Sequence, residues 1–159
     1  MGSGVGEELF RGLAPWAGSV DLHLMVDRVP EFVRRFRSGR VTVHLRDPGD
    51  LALAADTAEL GEERWISVEP QRWSADLLRV AIADVRPSGV LMLTVAPATA
   101  AQVIDLARVD TPAWDLARSL LPLGADGGVT ADAVAPLAAA GAGYFVCGRS
   151  LFSRRGTTS

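Results

Sequence analysis

The heptapeptide GADGGVT, residues 124–130, sets a carboxylate, two glycines and a helix-capping threonine side by side. A carboxylate at a strand end can move protons or hold a cation. Gly127 and Gly128 let backbone N–H groups approach a ligand closely, and ahead of a helix N-terminus they suit a phosphate. VCGRSLF (146–152) repeats the logic one unit later, with Gly148 followed by Arg149. The same glycines also suit plain tight turns. A second group of reactive residues lies in VDLHLMV (20–26), where Asp21, His23 and Met25 face one side of a strand and Leu22, Leu24 and Val26 the other. His44, in RVTVHL, is the only other histidine. An inward-facing histidine can serve a reaction, or simply hydrogen-bond a neighbouring strand end.

These residues need elements to position them. The apolar runs 20–26, 40–45, 64–69, 89–95, 121–126 and 143–148 read as strands, and helical periodicity fills the intervals. Val29, Phe32, Val33 and Phe36 form one helical face, with Pro30 at its start and Gly39 at its end. Asp50 opens a further helix that Gly61 closes. Ser74, Thr111 and Thr130 stand at the starts of three more. Pro136 falls inside the last of these. An opening segment, 7–18, groups Leu9, Phe10, Leu13 and Trp16 on one face. Alternating strands and helices imply a parallel sheet with right-handed crossovers. Its functional residues belong at the C-terminal strand ends, where His23, Met25, His44, Glu69, Thr94, Asp126 and Gly148 fall.

Six strands in 159 residues make an α/β open sheet or a partial TIM barrel, read as one domain over 1–159. Net charge −3 gives no general attraction to nucleic acid or anionic lipid. No run reaches the length of a membrane span. One cysteine, Cys147, excludes an internal disulfide, and with no secretory signal in view the chain reads as cytoplasmic. Together with two histidines it also excludes a zinc finger or an iron–sulfur cage. The four tryptophans suit helix–sheet packing, and Arg34, Arg35, Arg37 and Arg40 a solvated helix end.

In order along the chain, DLHLMV, VTVHL, LTVAPATAAQ, GADGGVT and AGAGYFVCGRSLF resemble the ribulose-phosphate 3-epimerase family, from about Glu7 to Phe152. The resemblance implies a ribulose-phosphate-binding type of barrel whose first two βα units are missing here. It implies that His23 and Asp126 are ligands of a divalent metal of the zinc, iron, manganese or cobalt class, and that Asp126 is also an acid/base. It implies phosphate binding by Gly127, Gly128, Gly148 and Arg149, and pocket-lining roles for Met25, His44 and Gln102. The chain departs from the family in two respects. The motif carrying a second catalytic aspartate and a second metal histidine is not present, and the glycine-rich sixth-strand loop of the family is replaced by APATAAQ (96–102).

The implied activity is metal-assisted proton abstraction next to a ketone, interconverting D-ribulose 5-phosphate and D-xylulose 5-phosphate or related ketose phosphates. The alternative is an inactive relative that keeps a phosphorylated ligand or a protein partner. Glu69 is a candidate replacement base, with a salt bridge as its structural alternative. The missing units would have to come from upstream sequence, a separate chain or a neighbouring subunit. Open sheet edges, with their unpaired strand backbone, imply a homo-oligomer or association through those edges.

Overall fold

A computed structural model describes residues 12–29, 34, 36–57, 59–95 and 104–148. Six strands, β1 (Asp21–Leu24), β2 (Ser38–Leu45), β3 (Gly61–Val68), β4 (Gly89–Leu93), β5 (Leu123–Asp126) and β6 (Tyr144–Val146), form one sheet in sequential order. Every neighbouring pair is parallel. Four α-helices are interleaved among the described residues: α1 (Leu51–Asp56), α2 (Ala75–Val85), α3 (Pro112–Leu120) and α4 (Ala131–Ala139). The result is a curled half-barrel, a partial TIM-barrel-like fold. Among the described residues no helix is long and apolar enough to cross a membrane.

Strand alternation divides the interior into two layers. Val41, Val43, Leu45, Ile66, Val68, Val90, Met92, Leu123 and Ala125 face the helices, where they pack with Leu78, Ala81, Val85, Trp114, Ala117 and Leu137. The residues between them in sequence face the concave side. There Trp65 is buried outside the main core, and its ring takes the space a Cβ would fill at Gly89, while Leu91, Tyr144 and Trp65 crowd the same space at Gly124. The Arg40 guanidinium lies 4.3 Å from the Trp65 ring and 4.4 Å from the Tyr144 ring, and pairs with Glu63 at 2.8 Å. Arg40 is therefore part of the barrel interior rather than of a solvated helix end, and Trp65 fills the barrel rather than a helix–sheet interface. Trp73 and Trp114 are buried in the main core, while Trp16 is 67% exposed.

Local chemistry explains most element ends. Ser74 and Thr111 accept from the N–H groups of Leu77 and Trp114 and cap α2 and α3. Asp50 precedes α1 but caps nothing with its side chain, because its carboxylate accepts from Arg46 instead. Gly39 and Gly61, expected at helix ends, are strand residues. Gly39 lies so close to the Gly18 carbonyl that a Cβ would collide with it. The expected opening helix is a 3-10 helix over Ala14–Ser19, and residues 7–11 lie outside the described chain. The helix expected from Pro30 also falls mostly outside it, although Val29 and Phe36 are buried in the core as its apolar face requires. Helix α4 runs through Pro136, which is exposed and, lacking an N–H, donates no bond to the turn before it.

Candidate functional site

Three side chains from separated strands meet at one end of the concave face. His23 comes from β1, His44 from β2 and Asp126 from the end of β5, and one ligand atom from each lies within 4.8 Å of the others. Parity puts them there: Asp21 pairs with Arg40 and His23 with Thr42, so the next inward residue of β2 is His44. Curling of the sheet then brings the end of β5 across from β1.

His23 is held from both sides of its ring. Its Nδ1 lies 3.0 Å from His44 Nε2, and its Nε2 lies 3.4 Å from Asp21 Oδ2. Asp21 also accepts from Thr42 Oγ1 at 3.0 Å and from the Tyr144 hydroxyl at 2.8 Å. Burial pushes the Asp21 carboxyl up, but the hydrogen bonds from His23, Tyr144 and Thr42, with the charge of His23, outweigh it and hold Asp21 below the usual range. An anionic Asp21 favours the His23 tautomer with its proton on Nε2, which leaves Nδ1 as a lone pair facing the cluster.

Burial, with the neighbouring His23 charge, lowers the His44 imidazole to about 4 against the opposing pull of Asp21. His44 is thus neutral at pH 7, the form that ligates metals. Burial raises the Asp126 carboxyl, assisted by the charge of Asp21 and opposed by His23 and by the Gly127 N–H. A carboxyl raised in this way is matched to taking and returning a proton.

The donor set fits a divalent cation. Two imidazoles and one carboxylate suit borderline metals of the zinc, iron, manganese and cobalt class. Two nitrogens on one tetrahedral ion stand roughly 3.4 Å apart, close to the observed separation of His23 and His44. Asp21 stands behind His23, 3.4 Å from its Nε2, where an outer carboxylate would orient the ring of a metal ligand. Sequence reading paired His23 with Asp126 and placed His44 in the pocket wall. The structure puts all three in one cluster, and the signal for His44 was its inward parity one βα unit after His23.

His44 also walls a cavity of about 170 Å³, together with Met25, Ser67 and Leu93. Met25 lies just past β1 and is 73% exposed, so it lines the mouth of this cavity rather than its interior. Glu69 at the same cavity is paired with Arg108 at 3.0 Å, the salt bridge rather than the free base.

The turn after β5 has a backbone reason for its glycines. Gly127 and Gly128 have φ of 103° and 65°, and a Cβ at Gly127 would stand 2.4 Å from the Val95 side chain. The Thr94 hydroxyl donates to the carbonyls of Asp126 and Gly127 and pins the turn. Thr130 occupies the N-cap position of α4 but makes no capping hydrogen bond with its side chain. The first-turn N–H groups of α4 therefore have no side-chain acceptor from their own cap. Gly148 is exposed just after β6. Gln102 and Arg149 lie outside the described residues.

Comparison with known families matches residues 5–152 of the 159-residue chain to the ribulose-phosphate 3 epimerase family. No curated protein matches the chain.

Proposed function

Because the chain belongs to the ribulose-phosphate 3-epimerase family, we propose that it acts on a ketose phosphate by removing a proton from the carbon beside the ketone. D-Ribulose 5-phosphate and D-xylulose 5-phosphate are the substrates this reading names first. The observation that carries it is the convergence of His23, His44 and Asp126 from three strands onto one point. In this reading Asp126 takes the proton, the C–H electrons move into the enediolate, and Asp126 returns a proton from the same face. His23 and His44, with Asp126, would hold a divalent cation, which when bound supplies positive charge for the enediolate oxygen. Asp21 fixes His23 through Nε2, and Tyr144 and Thr42 fix Asp21.

The phosphate is assigned to the Gly127–Gly128 turn and the N-terminus of α4, with Gly148 and Arg149 carried over from the family resemblance as further phosphate contacts. Uncapped N–H groups and the positive end of the helix favour an anion there. Phosphorylated sugars do not cross membranes, so the reading places the protein in the cytoplasm. It names no nucleic acid or membrane partner. Among the described residues no strand pairs with the outer edges of β1 and β6, which supports self-association through those edges.

A second reading, a relative that binds the sugar phosphate without turning it over, has its own observation. Asp126 is the only carboxylate of the three-residue cluster, and inversion at carbon needs an acid on the opposite face. Deuterium exchange separates the two. Incubation of pentulose phosphate in heavy water with added divalent cation is expected to label the carbon next to the ketone. Labelling absent in wild type, or unchanged in Asp126→Asn, overturns the catalytic reading, and calorimetric binding without labelling establishes the second.

A further inference from the structure

The cavity beside His44 carries chemistry that the reaction above does not use. Ser67 lies at its wall, next to His44 in the strand register, and is wholly buried. Its Oγ makes no hydrogen bond among the described residues. A buried hydroxyl without a partner is uncommon in a folded protein, because leaving it so costs free energy. Such a group signals a ligand that would complete it.

The charged residues of the same cavity sort themselves clearly. Arg46 is engaged by Asp27 at 2.8 Å and Asp50 at 2.9 Å. Glu69 is neutralised by Arg108. Arg72 makes no ion pair or side-chain hydrogen bond among the described residues, and it is exposed at the rim. The cavity thus offers one uncommitted cation and one uncommitted hydroxyl beside the apolar side chains of Met25, Leu45 and Leu93. That combination recognises an oxyanion, to which Arg72 donates a charge-assisted bond and Ser67 a hydroxyl bond.

Its position fixes which end of a ligand it meets. The cavity follows β1 to β4, whereas the glycine turn follows β5, and the His23–His44–Asp126 cluster lies between them with His44 shared. We propose that the Ser67–Arg72 cavity is a second oxyanion subsite, so that the preferred ligand is a sugar phosphate carrying a further phosphate or carboxylate at its other end. This rests on the phosphosugar reading and adds the substrate class to it.

The test is calorimetric titration of the full chain with pentulose 5-phosphate, pentulose 1,5-bisphosphate and a 5-phosphopentonate. The last two separate a phosphate from a carboxylate as the second group. At least one of them is expected to bind about tenfold or more tighter than the monophosphate, the gain of a hydrogen-bonded charge pair. Arg72→Ala is expected to abolish that advantage, and Ser67→Ala to reduce it severalfold. Arg79→Ala, an exposed arginine on α2 away from the cavity, controls for general charge and should keep it. If pentulose 5-phosphate binds and neither the bisphosphate nor the phosphopentonate binds tighter, the second subsite is wrong and the phosphosugar reading stands. An advantage that survives Arg72→Ala also overturns the subsite. If none of the three binds, the phosphosugar reading falls and this inference with it.

Discussion

The Tyr144 hydroxyl donates to Asp21 Oδ2 at 2.8 Å, joining the last described strand to the first across 123 positions of sequence. No backbone ladder connects β6 to β1. The curl of this sheet is held at its open side by side chains instead: Tyr144 on Asp21, and Arg40 stacked between Trp65 and Tyr144. The same carboxylate orients His23, so the bond that closes the scaffold also sets the geometry of the site.

Tyr144→Phe is expected to lose about 1–2 kcal/mol of stability, the worth of a hydrogen bond to a charged acceptor in a half-buried place. Chemical denaturation measures it. Burial, with the hydrogen bond to Asp21, pushes the phenol from 10.0 up to about 12. A raised folded value means that the proton is held more tightly in the folded state. The stability it contributes is complete below pH 10 and is lost as pH rises through 12. Tyr144 is the sole tyrosine, so phenolate absorbance in a pH titration reports this group alone, and a midpoint at 10 would contradict the contact.

His44 predicts the opposite behaviour in acid. Its folded value near 4 lies below the ordinary 6.5 because burial disfavours the charged ring. The folded state therefore binds that proton less readily than the unfolded chain. The associated stability is present above pH 6.5 and is lost as pH falls toward 4. Thermal denaturation in the presence of a chelator should show this acid slope in wild type and a shallower one in His44→Gln.

A divalent cation should stabilise the wild-type fold. Binding to the folded state alone adds about 2.7 kcal/mol at a hundredfold excess over Kd. A zinc or manganese titration is expected to raise Tm in wild type, and to leave His23→Ala and His44→Ala unmoved. An equal rise in all three proteins would place the ion elsewhere.

Ser67→Ala should make the protein more stable. The change removes a buried hydroxyl that has no partner and leaves the apolar wall in place. A gain of about 1 kcal/mol in urea unfolding is expected. A loss of stability would mean that the hydroxyl supports the fold.

Gly89→Ala tests the packing of the barrel interior. The new Cβ would stand 2.4 Å from the Trp65 ring, which is buried and cannot swing clear. A loss of about 1–3 kcal/mol is expected from the overpacking. The double change Gly89→Ala with Trp65→Phe should recover part of it.

The repeating βα pattern, the parallel sheet of six strands and the strand ends where His23, His44 and Asp126 fall are all legible in the residue order. Those features are local: alternation over a few residues, caps at Ser74 and Thr111, and glycines at a turn that requires positive φ. What they could not carry was contact between distant elements. Arg40 reads as the end of a basic run, yet it lies inside the half-barrel because β2 begins at Ser38 and alternation turns its side chain inward. Gly39 and Gly61 read as helix stops, yet they extend strands where backbones approach closely. His44 reads as a pocket wall, and only the curl that sets β5 opposite β1 and β2 makes it the third member of the cluster. The meeting of Tyr144 with Asp21 has no local signal at all. It depends on how far the sheet bends, a property of all six strands packed together and not of any single stretch of chain.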